Sequence, residues 1–154
     1  MNIKNLVFIF VFVCLLSSFT IKGKVVRVSD GDTFTVLTAE NRQERIRMLW
    51  IDAPEKSQAY GDAARQFLAD LIAGKIVTVN CTEKDSYGRN LGYVVINGSN
   101  VNELMLKNGY AWHYKQFDKN VDRARFEQQA RKNKIGLWSE KEPIAPWFFR
   151  KNKR

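Results

Sequence analysis

The turn Ser29-Asp30-Gly31-Asp32 joins two β-rich runs, residues 24–28 and 33–37, and commits the chain to a hairpin near its start. Asp-Gly accommodates the backbone angles of a tight reversal, while the flanking valine, threonine and phenylalanine suit a pleated surface. A third run, 44–51, alternates in character. Strand periodicity predicts Arg45, Arg47, Leu49 and Ile51 on one face, with Ile46, Met48 and Trp50 on the other. Pro54 ends it. A helix follows, with Tyr60, Ala63, Ala64, Phe67, Leu68, Leu71 and Ile72 on one face and Gly74 as its stop. Two more strands, 75–81 and 90–96, are linked by the polar turn 85–89. Asn100 and Glu103 have the spacing of a capping box opening a short helix that Gly109 closes. A third helix is predicted over 121–134 on a thin stripe of Ala124, Phe126 and Ala130. Five short strands, with a helix after the third and helices at the end, predict an α+β, mainly β domain. The expected architecture is a five-stranded OB-type Greek-key barrel with three helices.

A length of 154 residues with 45% apolar side chains supports one packed core and excludes disorder. Residues 1–20 read as a secretory signal peptide: Lys4 precedes the apolar run 6–16, and small polar residues follow. That run is shorter than the roughly twenty residues that span a bilayer, so cleavage is the expectation. An uncleaved membrane anchor is the alternative. The expected organisation is therefore a leader over 1–20, a domain over 21–142, and a basic aromatic tail over 143–154. The destination is secreted or periplasmic, with transient membrane contact through the N-terminal segment. Nothing in the chain requires more than a monomer.

The formal net charge is +9, and the leader carries a single lysine, so the remainder carries +8. Such an excess points to a polyanionic partner, nucleic acid first, because basic side chains displace counterions from phosphate backbones. Beyond the leader Cys81 is the sole cysteine, which excludes an internal disulfide, and its place in an apolar strand predicts a buried thiol.

Two acidic clusters, Asp30-Gly31-Asp32-Thr33 and Asp52-Ala53-Pro54-Glu55, bracket Arg47. Asp32 follows the hairpin turn and Asp52 ends the third strand, so a barrel would bring both carboxylates to one rim. A hard, irregularly coordinated cation such as Ca2+ suits that pair. Zinc does not, since one histidine and the one cysteine beyond the leader cannot build a tetrad. His113 stands alone among aromatics and reads as structural. Glu55 is placed to orient or deprotonate a water, and Arg47 and Arg89 to clamp a phosphate. Each residue also has a plain reading as turn, surface or helix-terminal residue. Their joint order is what carries the functional one.

The segments Val28-Ser-Asp-Gly-Asp-Thr33, Ile46-Arg-Met-Leu-Trp-Ile-Asp-Ala-Pro-Glu55, Asp85-Ser-Tyr-Gly-Arg-Asn-Leu-Gly-Tyr93 and Asn102-Glu-Leu-Met-Leu-Lys-Asn-Gly-Tyr-Ala111 resemble the staphylococcal nuclease family, over about residues 22–138. The resemblance implies a calcium-dependent hydrolase acting on DNA and RNA and leaving 3′-phosphate ends. It implies Asp32, Asp52 and the Ala53 carbonyl as metal ligands, and Arg47, Glu55 and Arg89 as catalytic residues. Tyr87 matches a nucleotide-contacting position, and Tyr114 is a candidate for another. Two departures stand out: Ala53 where the family commonly carries threonine, and Ser86 where the prototype has lysine. The rival class is a catalytically silent OB-type nucleic-acid-binding module. Such modules typically lose the acids and arginines that this chain retains. A cationic protein binding acidic surface polymers would explain the charge but not the order of the motifs.

Overall fold

A computed structural model describes residues 18–153. The expected leader lies almost wholly outside the described residues, and strand β1 (Phe19–Val28) begins two residues inside it. Next come β2 (Thr33–Thr38), β3 (Gln43–Met48), β4 (Ile51–Asp52), α1 (Gly61–Ile72), β5 (Ile76–Lys84) and β6 (Asn90–Ile96). The chain ends in β7 (Ser99–Asn100), α2 (Val101–Lys107), β8 (Trp112–His113), α3 (Val121–Lys132), a 3₁₀ turn (Gly136–Ser139) and α4 (Pro146–Asn152).

The principal sheet runs β3-β2-β1-β5-β6-β7, and a parallel pairing of β3 with β6 closes it into a barrel. Five strands, β1, β2, β3, β5 and β6, form the wall, as the sequence predicts. Closure follows from side-chain alternation. Ile21 and Val25, Phe34 and Val36, Ile46 and Met48, Val77, Val79 and Cys81, and Val94 all point inward and are buried. Lys22 and Lys24 point out. Helix α1 seats Ala64, Leu68 and Ile72 on this core, and α2 adds Val101, Met105 and Leu106. Phe67 is half-buried and stacks on Tyr110 at 4.4 Å, while Ala63, expected on the buried face, is exposed.

Two corrections follow from backbone geometry. The alternation expected through 44–51 breaks after Met48, where Trp50 takes a positive φ of 70°. This bend resets parity. Ile51, predicted to share a face with Arg47, is instead fully buried, and Trp50 turns out to stack on Tyr93. The second correction concerns the number of helices: among the described residues there are four α-helices rather than three, because the basic tail forms α4. Pro146 starts that helix with its ring-fixed φ and no N–H to leave unpaired. The tail then packs Trp147 edge-on against Trp112 at 5.5 Å.

At α2 the Asn100 side chain accepts the Glu103 N–H, as the capping pattern requires, while the Glu103 carboxylate turns to Lys107 and Arg123. Helix α3 buries Glu127 beside Ala130, an unforeseen charge matched by Arg131 and by Lys115 at 3.2 Å.

Candidate active site

The hairpin after β1 places Asp32. Asp30 Oδ1 accepts the Asp32 N–H at 3.0 Å, closing a turn that presents Asp32 inward, and Thr33 Oγ1 donates to Asp32 Oδ1. Gly31 makes the placement possible. A Cβ there would lie 2.7 Å from the Ala53 Cβ and 2.8 Å from that of Ala64, so any larger residue pushes the turn off β4 and α1. Asp52 arrives on β4, which pairs with β8 through Ile51–His113 and Asp52–Trp112. The Ala53 N–H then donates to Asp32 Oδ2 at 2.6 Å, joining the two acidic segments directly.

Arg47 leaves β3 just before the bend and threads it. Its Nη1 donates to the Met48 and Ile51 carbonyls, and its Nη2 lies 3.2 Å from Asp32 Oδ2 and 3.1 Å from Asp52 Oδ1. Two buried carboxylates thus converge on one cationic nitrogen. Asn102 holds the bend from the other side, donating to the Leu49 carbonyl while accepting the Val94 N–H. Glu55 follows on a short loop in which the Gln58 N–H returns to the Glu55 carbonyl at 2.8 Å. Gly61 is needed where α1 passes beneath, since a Cβ would fall 2.0 Å from the Glu55 carbonyl oxygen.

Arg89 immediately precedes β6, whose Leu91 pairs with Arg47 where β3 and β6 close the barrel. The Arg89 Nε donates to Asp85 Oδ2 at 2.7 Å, and Asp85 Oδ1 accepts the Tyr87 and Arg89 N–H groups, so one aspartate shapes the whole turn. These hydrogen bonds and the Arg89 charge hold the Asp85 carboxyl below the usual range, against the opposing effect of its desolvation. Tyr87 is 77% exposed, and the Arg89 guanidinium lies 5.5 Å from its ring centroid. Tyr114 is anchored by its N–H to the Trp50 carbonyl and stacks parallel on Trp147 at 5.7 Å.

Asp32, Arg47, Asp52, Ala53, Glu55, Tyr87, Arg89 and Tyr114 all line one cavity of ≈ 700 Å³. The fold therefore collects every residue singled out from the sequence. Arg89 bonds Asp85 rather than Arg47, Asp32 or Asp52, and lines the same cavity as they do. His113, buried at 2% exposure, bonds Asp118 at 2.7 Å and does not line this cavity, in keeping with a structural place.

Desolvation is the largest influence on Asp52 and Asp30. Burial pushes the Asp52 carboxyl above its ordinary range, and the Asp32 charge adds to the push while Arg150 and Arg47 oppose it. Burial and the neighbouring Asp32 likewise push Asp30 up to about 7. Among the described residues, no three His, Cys, Asp or Glu side chains form a metal-ligand group. What the site offers a cation is the pair Asp32 and Asp52. Such an oxygen-only pair fits a hard ion of high coordination number, whose other positions go to carbonyls, water and phosphate oxygens.

Phe117 and Arg150 also line the cavity, and sequence reasoning does not locate Arg150. Phe117 is 70% exposed and packs edge-on against Tyr114 at 4.7 Å. Trp147 covers the other side of that ring without lining the cavity, and Arg150 enters the cavity from α4. The tail sequence Pro146-Trp-Phe-Phe-Arg150 held a signal in its aromatic density, but not a direction.

The comparisons with known proteins agree with this geometry. The family model for staphylococcal nuclease homologues matches residues 45–140, from Arg45 in β3 to the end of the 3₁₀ turn. A protein of Escherichia coli O157:H7 described as an uncharacterized endonuclease is 44% identical over 134 residues, covering 86% of this chain and 87% of its own length. One of Haemophilus influenzae with the same description is 40% identical over 131 residues, covering 85% and 74%. The staphylococcal-like nuclease CAN1 of Arabidopsis thaliana is 44% identical over 110 residues, covering 71% of this chain and 34% of its own. With a closed five-stranded barrel, a converged acid and arginine site at its rim, and a match across most of the domain, the chain belongs to the staphylococcal nuclease family of hydrolases.

Proposed function

We propose that this nuclease is calcium-dependent and hydrolyses phosphodiester bonds of DNA and RNA with an oriented water, leaving 3′-phosphate ends. The observation that carries the reading is the convergence of two buried carboxylates on Arg47, in a cavity that Arg89 also lines. Asp32 and Asp52 would hold the cation, joined by the Ala53 carbonyl. When bound, calcium supplies Lewis-acid polarisation of a phosphoryl oxygen and a template for the attacking water.

The remaining steps belong to the side chains. Glu55, half-buried at the rim, takes a proton from the water as its oxygen bonds to phosphorus. Arg47 and Arg89 face the equatorial oxygens, where negative charge grows, and stabilise it with permanent, forked donors. The bond from phosphorus to the 5′-oxygen breaks, that oxygen leaves with its electron pair, and it takes a proton from solvent. The products are a 3′-phosphate and a 5′-hydroxyl. Tyr87 and Tyr114 flank the opening at positions suited to stacking on bases, a contact that tolerates any sequence. The basic balance of the chain steers polyanions toward the cavity. We place the enzyme outside the cytoplasm, secreted or periplasmic, delivered by the leader or anchored through it, and working as a monomer.

The test is cleavage of DNA and RNA in calcium against chelator, followed by end analysis. Cleavage should require the metal, and the new 3′-ends should resist polymerase extension until dephosphorylated. Undiminished cleavage in chelator would overturn the metal reading. Directly extendable ends would overturn the bond assigned to break.

A further inference from the structure

Arg150 lies ten residues beyond the family match, on a helix of seven residues, yet it lines the cavity and bonds two of its carboxylates. Its Nη2 donates to Asp52 Oδ2 at 2.8 Å, and its Nη1 reaches Asp52 Oδ1 at 3.2 Å and Glu55 Oε1 at 2.8 Å. The docking of α4 makes this position a built one. Ala145 and Pro146 are buried, Trp147 packs against both Trp112 and Tyr114, and Gln58 Nε2 donates to the Ile144 carbonyl at 2.6 Å. The loop carrying Glu55 and the segment carrying Arg150 are thus tied together on both sides of the guanidinium.

The three arginines of the cavity differ in what holds them. Arg47 is fixed by two backbone carbonyls and Arg89 by Asp85, and neither set of bonds involves Glu55. Among the described residues the Arg150 guanidinium bonds Asp52 and Glu55 and no other group, and its side chain is 41% exposed where Asp52 is 1%. It sits at the mouth, closing the carboxylates from the solvent side. A divalent cation on Asp32 and Asp52 would face that guanidinium at close range, like charge against like charge. A phosphodiester arriving with the cation offers the guanidinium a new anionic partner with matching fork geometry, within the reach of a flexible stem.

We propose that Arg150 is a third phosphate-contacting arginine, held on Asp52 and Glu55 as their counter-ion until a divalent cation displaces it. The inference rests on the reading that Asp32 and Asp52 bind the metal. Its consequence is a change of sign between two binding steps. Without substrate, Arg150 competes with the cation, and release of Glu55 accompanies loading. With substrate, it adds affinity for the phosphate. A residue that only held α4 in place would weaken both steps together.

Calcium binding to the full chain is measured by titration calorimetry without nucleic acid, for wild type, Arg150→Gln, Arg150→Lys and Asp52→Asn. Binding of a phosphorothioate-linked oligothymidylate is then measured in saturating calcium. Arg150→Gln should bind calcium about 10-fold more tightly than wild type and the oligonucleotide about 10-fold more weakly. Arg150→Lys, which keeps charge but loses the fork, should stay near wild type for calcium and be weakened for the oligonucleotide. If wild type and Asp52→Asn bind calcium alike, the metal reading itself fails. If Asp52→Asn abolishes calcium binding while Arg150→Gln equals wild type in calcium affinity, the metal reading stands and the Arg150 proposal is overturned. Weakening at both steps, with an unchanged thermal midpoint, would also overturn it.

Discussion

Arg47→Met is the most revealing single perturbation, because the substitution keeps an unbranched stem of similar length and removes only the charged fork. The guanidinium is 14% exposed and faces carboxylates that are 9% and 1% exposed, so its loss leaves two desolvated anions short of positive charge. Truncating one partner of a buried ion pair costs about 3 to 5 kcal/mol. Two features reduce that figure here. Arg150 still donates to Asp52, and the Ala53 N–H and Thr33 hydroxyl still serve Asp32. Against this, the Met48 and Ile51 carbonyls lose their donor, at about 1 kcal/mol each. The net expectation is a loss of about 3 kcal/mol, which for a domain of this size lowers the melting temperature by roughly 10 °C.

The assay is urea unfolding of the metal-free protein at pH 7.5, repeated in saturating calcium. A cation at Asp32 and Asp52 would replace the missing charge, so calcium should recover at least half of the loss. A double-mutant cycle with Asp52→Asn should return a coupling of about 1 to 3 kcal/mol. Turnover on DNA should fall about 100- to 1000-fold, the effect of removing one donor to a developing oxyanion. An unfolding midpoint equal to wild type in both conditions would refute the argument that Arg47 is the internal counter-charge of the site.

Three further outcomes are expected. Leu68→Ala, at a fully buried position, should cost about 2 to 5 kcal/mol, and Phe67→Ala less, because that ring is only partly covered. Denaturant midpoints in the reverse order would reject the α1 packing. Glu55→Gln should lower kcat about 100- to 10,000-fold with little change in thermal midpoint, since the side chain is 39% exposed and outside the core; near-normal kcat would remove it from proton transfer. Asp118 is held down to about 2, first by hydrogen bonds from Arg123, aided by His113 and opposed by burial. A depressed carboxyl stabilises the fold above its unfolded value near 3.8, and that contribution is lost as pH falls toward 2. Asp118→Asn should therefore melt roughly 5 °C below wild type at pH 7, with the gap closing between pH 4 and 2. A gap independent of pH would refute the assignment.

What could be read from the chain tracks the range over which each feature is decided. The hairpin at 29–32, the inward residues up to Met48 and the 90–96 strand depend on neighbours, and pattern alone finds them. The bend at Trp50 does not. A tryptophan at positive φ contradicts its own preference, and it is sustained from far away by Asn102 on Leu49, by Arg47 on two carbonyls and by the Tyr114 N–H. Local alternation therefore put Ile51 on the wrong face.

The same distinction runs through the site itself. Asp52 has two guanidinium partners: Arg47, five residues away and on a motif, and Arg150, 98 residues away on a short helix with no periodicity to read. Local partners come with the fold and hold whether or not a ligand is present, since Arg47 is also bound to backbone that cannot move without opening the barrel rim. A partner delivered by a terminal helix has no such tie. Its guanidinium is held by Asp52 and Glu55, the groups that a divalent cation would claim, while a phosphodiester offers it another anionic partner. The residue that sequence reasoning could least locate is thus the one whose position is most open to change on binding.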